Sequence, residues 1–313
     1  MTSENSTTSG DSPSSILPAF AFSPSRVWVL AQSTIVQLVR MKVFYFLLVF
    51  AALILVIVAI GLLWRPVDHL LQIKRWSFGA MYVFSMVYSI SATSLLLPRD
   101  VEDRTLYTIL SKPVPRFEYL AGRLLGVISV NAIAMFAMFG LMCVLVMWKI
   151  PAVEEQMMNE LRAAANGEAI SLEDQERTLA AARQQGVTLS LFWGFWALIL
   201  KASVITVVTL FVSTFATSSL FTIVSTTMIV FIGHFHQIAM DYWFQEGIGL
   251  GGIIVSNLLR LMFPNLAMFD VVDEVITGST LATGAALQMT GLGFFYLALF
   301  LVLSQLIFVD KEL

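Results

Sequence analysis

The sequence predicts an all-α, polytopic integral membrane protein, and three observations predict it. Charged residues make up 12% of the chain, where a soluble domain carries roughly 25%. The mean hydropathy is +0.83. Apolar runs long enough to cross a bilayer recur from residue 44 to residue 308. A helix rising 1.5 Å per residue needs about 20 residues to cross ~30 Å of hydrocarbon. A membrane barrel would instead show ~10-residue segments of alternating polarity, and none stands out here.

Taken in chain order, residues 1–25 are rich in Ser, Thr and Pro and lack the basic and apolar regions of a signal peptide, so a disordered tail is expected. Residues 26–42 are amphipathic. Trp28, Ala31, Ile35 and Leu38 fall on one helical face, with Arg26, Ser33, Gln37 and Arg40 opposite. That pattern suits a helix lying in the membrane interface. Six spans are then expected, at roughly 44–64, 77–97, 122–148, 191–212, 220–240 and 286–308.

Between the third and fourth spans, the segment 149–189 reads as a helical hairpin outside the bilayer. Residues 152–165 form its first helix, Asn166-Gly167 breaks it, and Ser171 caps the second with Asp174 at N3. The segment 242–285 reads as re-entrant. It opens with Gly247, Gly249, Gly251 and Gly252, continues through a short apolar stretch at 248–263, and ends in a polar loop after Asp270.

The net charge of −3 gives no bulk attraction to nucleic acid, and the one cysteine, Cys143, precludes an intrachain disulfide. No Gly-x4-Gly-Lys-Ser/Thr loop, HExxH motif, Ser/His/Asp set or Cys/His cluster occurs, so catalytic, cofactor-binding and metal residues are expected to be none. Two features inside the spans stand out. Lys201 lies near the middle of span four, where a charge costs ~2.5–3.5 kcal/mol and must face protein, water or an acid. No Asp or Glu lies at that depth in another span. His234, Gln237 and Asp241 share one face of span five at i, i+3, i+7. These four residues are the candidate translocation path, weighed against plain interhelical hydrogen bonding. Rows of small residues (Thr222, Thr226 and Gly233; Ser85, Ser89 and Thr93) point to close helix packing.

The most informative segment is the charged island at 99–123. Asp100, Glu102 and Asp103 follow Pro98, where the start of a new helix would favour them. Leu106, Ile109 and Leu110 form an i, i+3, i+4 apolar patch. Pro113 and Pro115 then stop the helix. A short rigid helix with an apolar knob and a charged rim suits docking to a water-soluble partner. Glu102, Thr105-Leu106, Ile109-Leu110, Ser111-Lys112-Pro113-Val114, Arg116, Glu118-Tyr119 and Gly122-Arg123, taken in order, resemble the coupling segment of ABC-2 type ABC transporter permeases. The Pro-Asn-Leu-x-x-Phe-Asp element ending at Asp270 and the terminal Phe308-Val-Asp310 extend the resemblance over roughly 26–313. Arg104 departs from it, standing where many members have Gly, and the 149–189 hairpin has no counterpart.

The resemblance implies a transmembrane domain at 26–313 with a cytoplasmic coupling loop at 98–121. A separate ABC ATPase would dock there on Glu102, Arg104, Leu106, Ile109, Leu110, Pro113 and Arg116. ATP and magnesium would be bound by that ATPase and no cofactor by this chain. A second permease copy or paralogue would complete a dimer in the plasma or inner membrane, exporting a substrate, with both termini cytoplasmic. Basic residues close to span ends (Arg40, Lys42, Arg99, Arg116, Arg123 and Lys311) agree with that orientation. Two alternatives stay open. A lipid-modifying membrane enzyme would need convergent acids, histidines or serines, which the sequence does not assemble. An ion-coupled secondary transporter would need carboxylates near the midplane, and the six spans hold none there.

Overall fold

A computed structural model describes residues 22–60, 66–102, 115–165, 171–216, 218–245, 263–279 and 281–310. Among these the chain is all-helical. In order come α1 (Pro24–Val39), α2 (Lys42–Ile60), α3 (Pro66–Glu102), α4 (Arg116–Ala164), α5 (Leu172–Gln184), α6 (Ser190–Phe215) and α7 (Ser219–Gln245). A 3-10 turn (Leu266–Phe269), α8 (Val272–Ile276) and α9 (Thr283–Asp310) complete the described chain.

Four helical stretches, His69–Leu96, Arg116–Ala164, Ser190–Phe215 and Thr283–Phe308, are long and apolar enough to cross a membrane. The first and fifth expected spans fall on α2 and α7, whose apolar stretches Leu47–Val58 and Ser219–Phe235 lie among the described residues. The most apolar window of α6 is 83% buried, against 28% for α9, which makes α6 the axis of the bundle. It packs against α3, α4, α7, α8 and α9. A polar tie crosses this core: Asn131 Nδ2 of α4 donates to Ser89 Oγ of α3 at 2.9 Å, and Thr206 Oγ1 of α6 donates to the same oxygen at 3.1 Å. The small-residue row Ser85, Ser89 and Thr93 is buried here, as are Thr222 and Thr226. Small side chains at these positions let the backbones approach.

Several expectations are corrected. The helix of span two does not break at Pro98; α3 runs through it to Glu102. Asp100 and Glu102 therefore occupy the last turn of α3, not the N-terminus of a new helix. Likewise the first helix of the 149–189 hairpin is no separate element. α4 continues through Pro151 for 49 residues, about 74 Å at 1.5 Å per residue, far beyond a ~30 Å hydrocarbon core. Its far end meets α5 through Val153 and Ala182, both buried, and through Arg183 Nε donating to Glu154 Oε1 at 2.9 Å. The cap of α5 is as expected, with Asp174 N–H donating to Ser171 Oγ at 3.1 Å. The stretch after Asp270 is not only loop, since α8 follows it directly.

The face of α1 also differs from the expected one. Val27, Ala31, Thr34 and Leu38 are buried, while Trp28 is 64% exposed. Arg26 and Gln37 turn inward because α4 supplies their partners, while Ser33 and Arg40 stay exposed. Glu118, itself fully buried, accepts the Ser23 N–H on Oε1 at 2.7 Å, and Arg26 approaches its Oε2 at 3.3 Å. A carboxylate at a helix start is stabilising, and Glu118 does for α1 what the Ser23 side chain does not. Arg123 Nη1 donates to Thr34 Oγ1 at 3.1 Å and Gln37 Oε1 at 3.0 Å. The two helices touch at Gly122 and Gly126, where an added Cβ would stand 2.5 Å from Leu30 Cβ and from Thr34 Cβ respectively.

Gly126→Leu is therefore expected to unseat α1 while leaving the bundle assembled. Limited trypsin digestion in detergent should cut at Arg26 and Arg40 several-fold faster than in the parent protein. Unchanged cleavage would contradict the close approach of the two helices.

Candidate functional site

The cluster that stands out chemically lies halfway along α6. Lys201 is 1% exposed, and its Nζ donates to Asp270 Oδ1 at 2.5 Å. Asp270 follows the 3-10 turn, and α6, α7 and that turn pack together. Gly233 of α7 makes the approach possible, since a Cβ there would meet the Pro264 carbonyl oxygen at 2.5 Å. Leu266 and Phe269, both fully buried, anchor the turn in the core of the bundle. The turn thus delivers a carboxylate to the level of a mid-helix lysine.

Two rings complete the cluster. Lys201 Nζ stands 4.3 Å from the centroid of the Tyr82 ring, within the ~6 Å over which a cation is attracted to an aromatic face. His234 Nδ1 lies 3.4 Å from Asp270 Oδ2, too long for a strong hydrogen bond. Its ring stacks near Tyr82 with centroids 6.5 Å apart. Four elements, α3, α6, α7 and the turn, thus converge on one charge pair.

The cluster is lopsided in exposure, and that decides what can lie beside it. Lys201 is sealed, but the side chains of Asp270 and His234 are 40% and 42% exposed. A half-open carboxylate at mid-helix depth cannot face acyl chains, because charge in hydrocarbon costs several kcal/mol. With α6 crossing a bilayer, this face of the bundle borders water or another polypeptide.

Of the four expected path residues, the structure brings Lys201 and His234 together through Asp270. The side chains of Gln237 and Asp241, though on α7, lie outside the described residues. So do Arg104, Leu106, Ile109, Leu110 and Pro113, together with the side chain of Glu102 and the glycine-rich stretch at 246–262. Arg116 is described, and its Nη1 donates to the Phe308 carbonyl at 2.8 Å. This ties the start of α4 to the end of α9.

Sequence reasoning missed Asp270 and Tyr82. Asp270 lies outside the six expected spans, in a segment whose hydropathy reads as loop. The available signal was the apolar, proline-led turn before it. Lys74, fully buried on α3, was missed as well; its Nζ has no hydrogen-bond partner among the described residues. No cluster of three or more metal-ligating side chains occurs among the described residues. Compared with known proteins, the sequence matches no family model and no curated protein.

A double-substitution cycle measures the pair. Lys201→Ala and Asp270→Ala are each expected to cost about 2–3 kcal/mol, below the ~3–5 kcal/mol of a fully buried pair because Asp270 keeps solvent contact. The double variant should lose much less than the sum of the two. Additive losses in thermal denaturation in detergent would show that the two groups do not interact.

Proposed function

We propose that this chain is the permease subunit of an ABC-2 type ABC transporter, with six crossings and both termini in the cytoplasm. It works as a dimer with a second copy or a paralogue. A separate ATPase docks on the 98–121 loop, binds ATP and magnesium, and drives export of a substrate. The loop residues Glu102, Arg104, Leu106, Ile109, Leu110 and Pro113 form the docking surface. Arg116 sits at its edge and transmits the motion.

The observation that carries this reading is the arrangement around the first turns of α4, where the loop re-enters the bundle. Arg116 holds the end of α9 through the Phe308 carbonyl, and Tyr119 stacks on the Phe308 ring at 6.2 Å. Glu118 and Arg123 hold α1. A push on the loop therefore moves α1, α4 and α9 as one body, while α3 carries its other end. The ordered sequence elements from Glu102 to Arg123, and those at 264–270 and 308–310, support the same reading.

Asp270 favours a second reading. Ion-coupled transport needs a carboxylate near the midplane, which the six expected spans lack and Asp270 supplies. The two readings differ in their energy source, which a partner ATPase would decide.

Leu106→Asp with Ile109→Asp is expected to leave the chain in the membrane and abolish co-purification of its ATPase partner. Retained association and ATP-dependent transport by the doubly substituted protein would sink the docking assignment. Uptake driven by a proton or sodium gradient without any ATPase would favour the second reading.

A further inference from the structure

The outer face of α7 carries a regular row of residues. Leu220, Val224, Thr227 and Phe231 are exposed on it, and the half-open His234 continues the row. They follow one another at intervals of four, three, four and three residues, the alternation with which one helix presents a seam to another. In a bilayer an apolar seam alone decides nothing, because acyl chains cover it as well as a second helix does. This seam, however, runs into the charged cluster, which acyl chains cannot cover.

Two groups of that cluster lack a complete shell. The Asp270 side chain is 40% exposed although its Oδ1 receives Lys201. His234 Nδ1 lies 3.4 Å from Asp270 Oδ2 and is sealed without a hydrogen bond, so a bond from this ring to another molecule must run through Nε2. Beside it, Phe231 and Phe235 pack with centroids 4.7 Å apart and stay 63% and 46% exposed. Water standing against two open phenyl rings is unfavourable, whereas a protein surface can cover the rings and bond the polar groups together. We propose that a second copy of this chain covers the seam, α7 against α7, and that His234 of each copy donates from Nε2 to the partner's Asp270.

Self-complementarity picks out a second copy as the occupant. A donor and an acceptor side by side on one surface satisfy each other across a two-fold axis, so a single contact is made twice. Both copies insert in the same orientation, which puts the axis along the membrane normal and runs the two α7 helices parallel, like residues of the seam facing each other. The exchange leaves the internal pair intact. Oδ1 of Asp270 keeps Lys201, and Oδ2 takes the histidine of the other copy. Each cluster is thus completed by the partner.

This inference deepens the reading of the chain as a dimeric permease and rests on it for the second copy, but its test needs no ATPase. The purified full chain carrying Cys143→Ser is reconstituted in phosphatidylcholine liposomes and treated with a short thiol-specific cross-linker. Val224→Cys and Phe231→Cys should each give covalent dimers, while Ile133→Cys, 62% exposed on α4, should stay single. Energy transfer between donor- and acceptor-labelled chains, followed as lipid is added, measures the dimer directly. His234→Leu removes two interhelical bonds per dimer and should raise its dissociation constant about tenfold. His234→Gln, whose side-chain N–H₂ can still donate, should stay close to the parent.

Cross-linking at Ile133 as strong as at Val224 and Phe231, or energy transfer unchanged in His234→Leu, would overturn the interface. Equal weakening by His234→Gln and His234→Leu would overturn the hydrogen bond to Asp270. A chain that binds its ATPase but pairs through another face, or not at all, loses this proposal alone. A chain that pairs along the seam but binds no ATPase keeps the interface and loses the ATPase-driven reading.

Discussion

A lysine near the midpoint of a membrane-length helix needs an answering charge, and the arrangement of this bundle follows from where that charge comes from. Lys201 is the interior cation of α6, the most enclosed helix. Its partner comes not from a neighbouring span but from a turn that inserts between helices to deliver Asp270. Gly233 clears the way for the turn, Leu266 and Phe269 hold it, and Tyr82 and His234 line the pair on the remaining sides. Removing the Asp270 carboxylate would leave Lys201 as a sealed cation without its partner.

The other end of the bundle is organised by a different carboxylate. Glu118 is as buried as Lys201, but its role is to hold α1 against the first turns of α4. With Arg116 and Tyr119 engaging Phe308, these turns bind three helices together beside the polar loop. The two polar centres divide the molecule. One joins α1, α4 and α9 at the start of α4; the other is an ion pair halfway along α6. Between them lie α3, α4 and α6, joined through Ser89, Asn131 and Thr206.

Much of this was legible in the sequence because composition and run length dominate membrane folding. The helical class, the cap at Ser171, the packing role of the serine and threonine rows and the anomaly of Lys201 could all be read from residue types and spacing. What could not be read depended on partners distant in sequence. The face of α1 was misjudged because Arg26 and Gln37 are polar by type yet are drawn inward by Glu118 and Arg123, about ninety residues away. Pro98 and Pro151 read as breaks, but each lies within a continuous helix, as tertiary contacts in a bundle can override a local penalty. Asp270 was invisible as a partner because a loop residue carries no depth in a hydropathy pattern.

The contact between Lys201 and Asp270 can be measured without relying on function. In lipid bilayers, the chain labelled with 15N at lysine Nζ and 13C at aspartate Cγ can be read by dipolar recoupling in solid-state NMR. The structure predicts the Lys201 nitrogen within about 4 Å of the Asp270 carboxylate carbon, the spacing of a direct ion pair. A coupling of the parent protein should be lost in Lys201→Arg and again in Asp270→Asn. A spectrum that neither substitution changes would contradict the account.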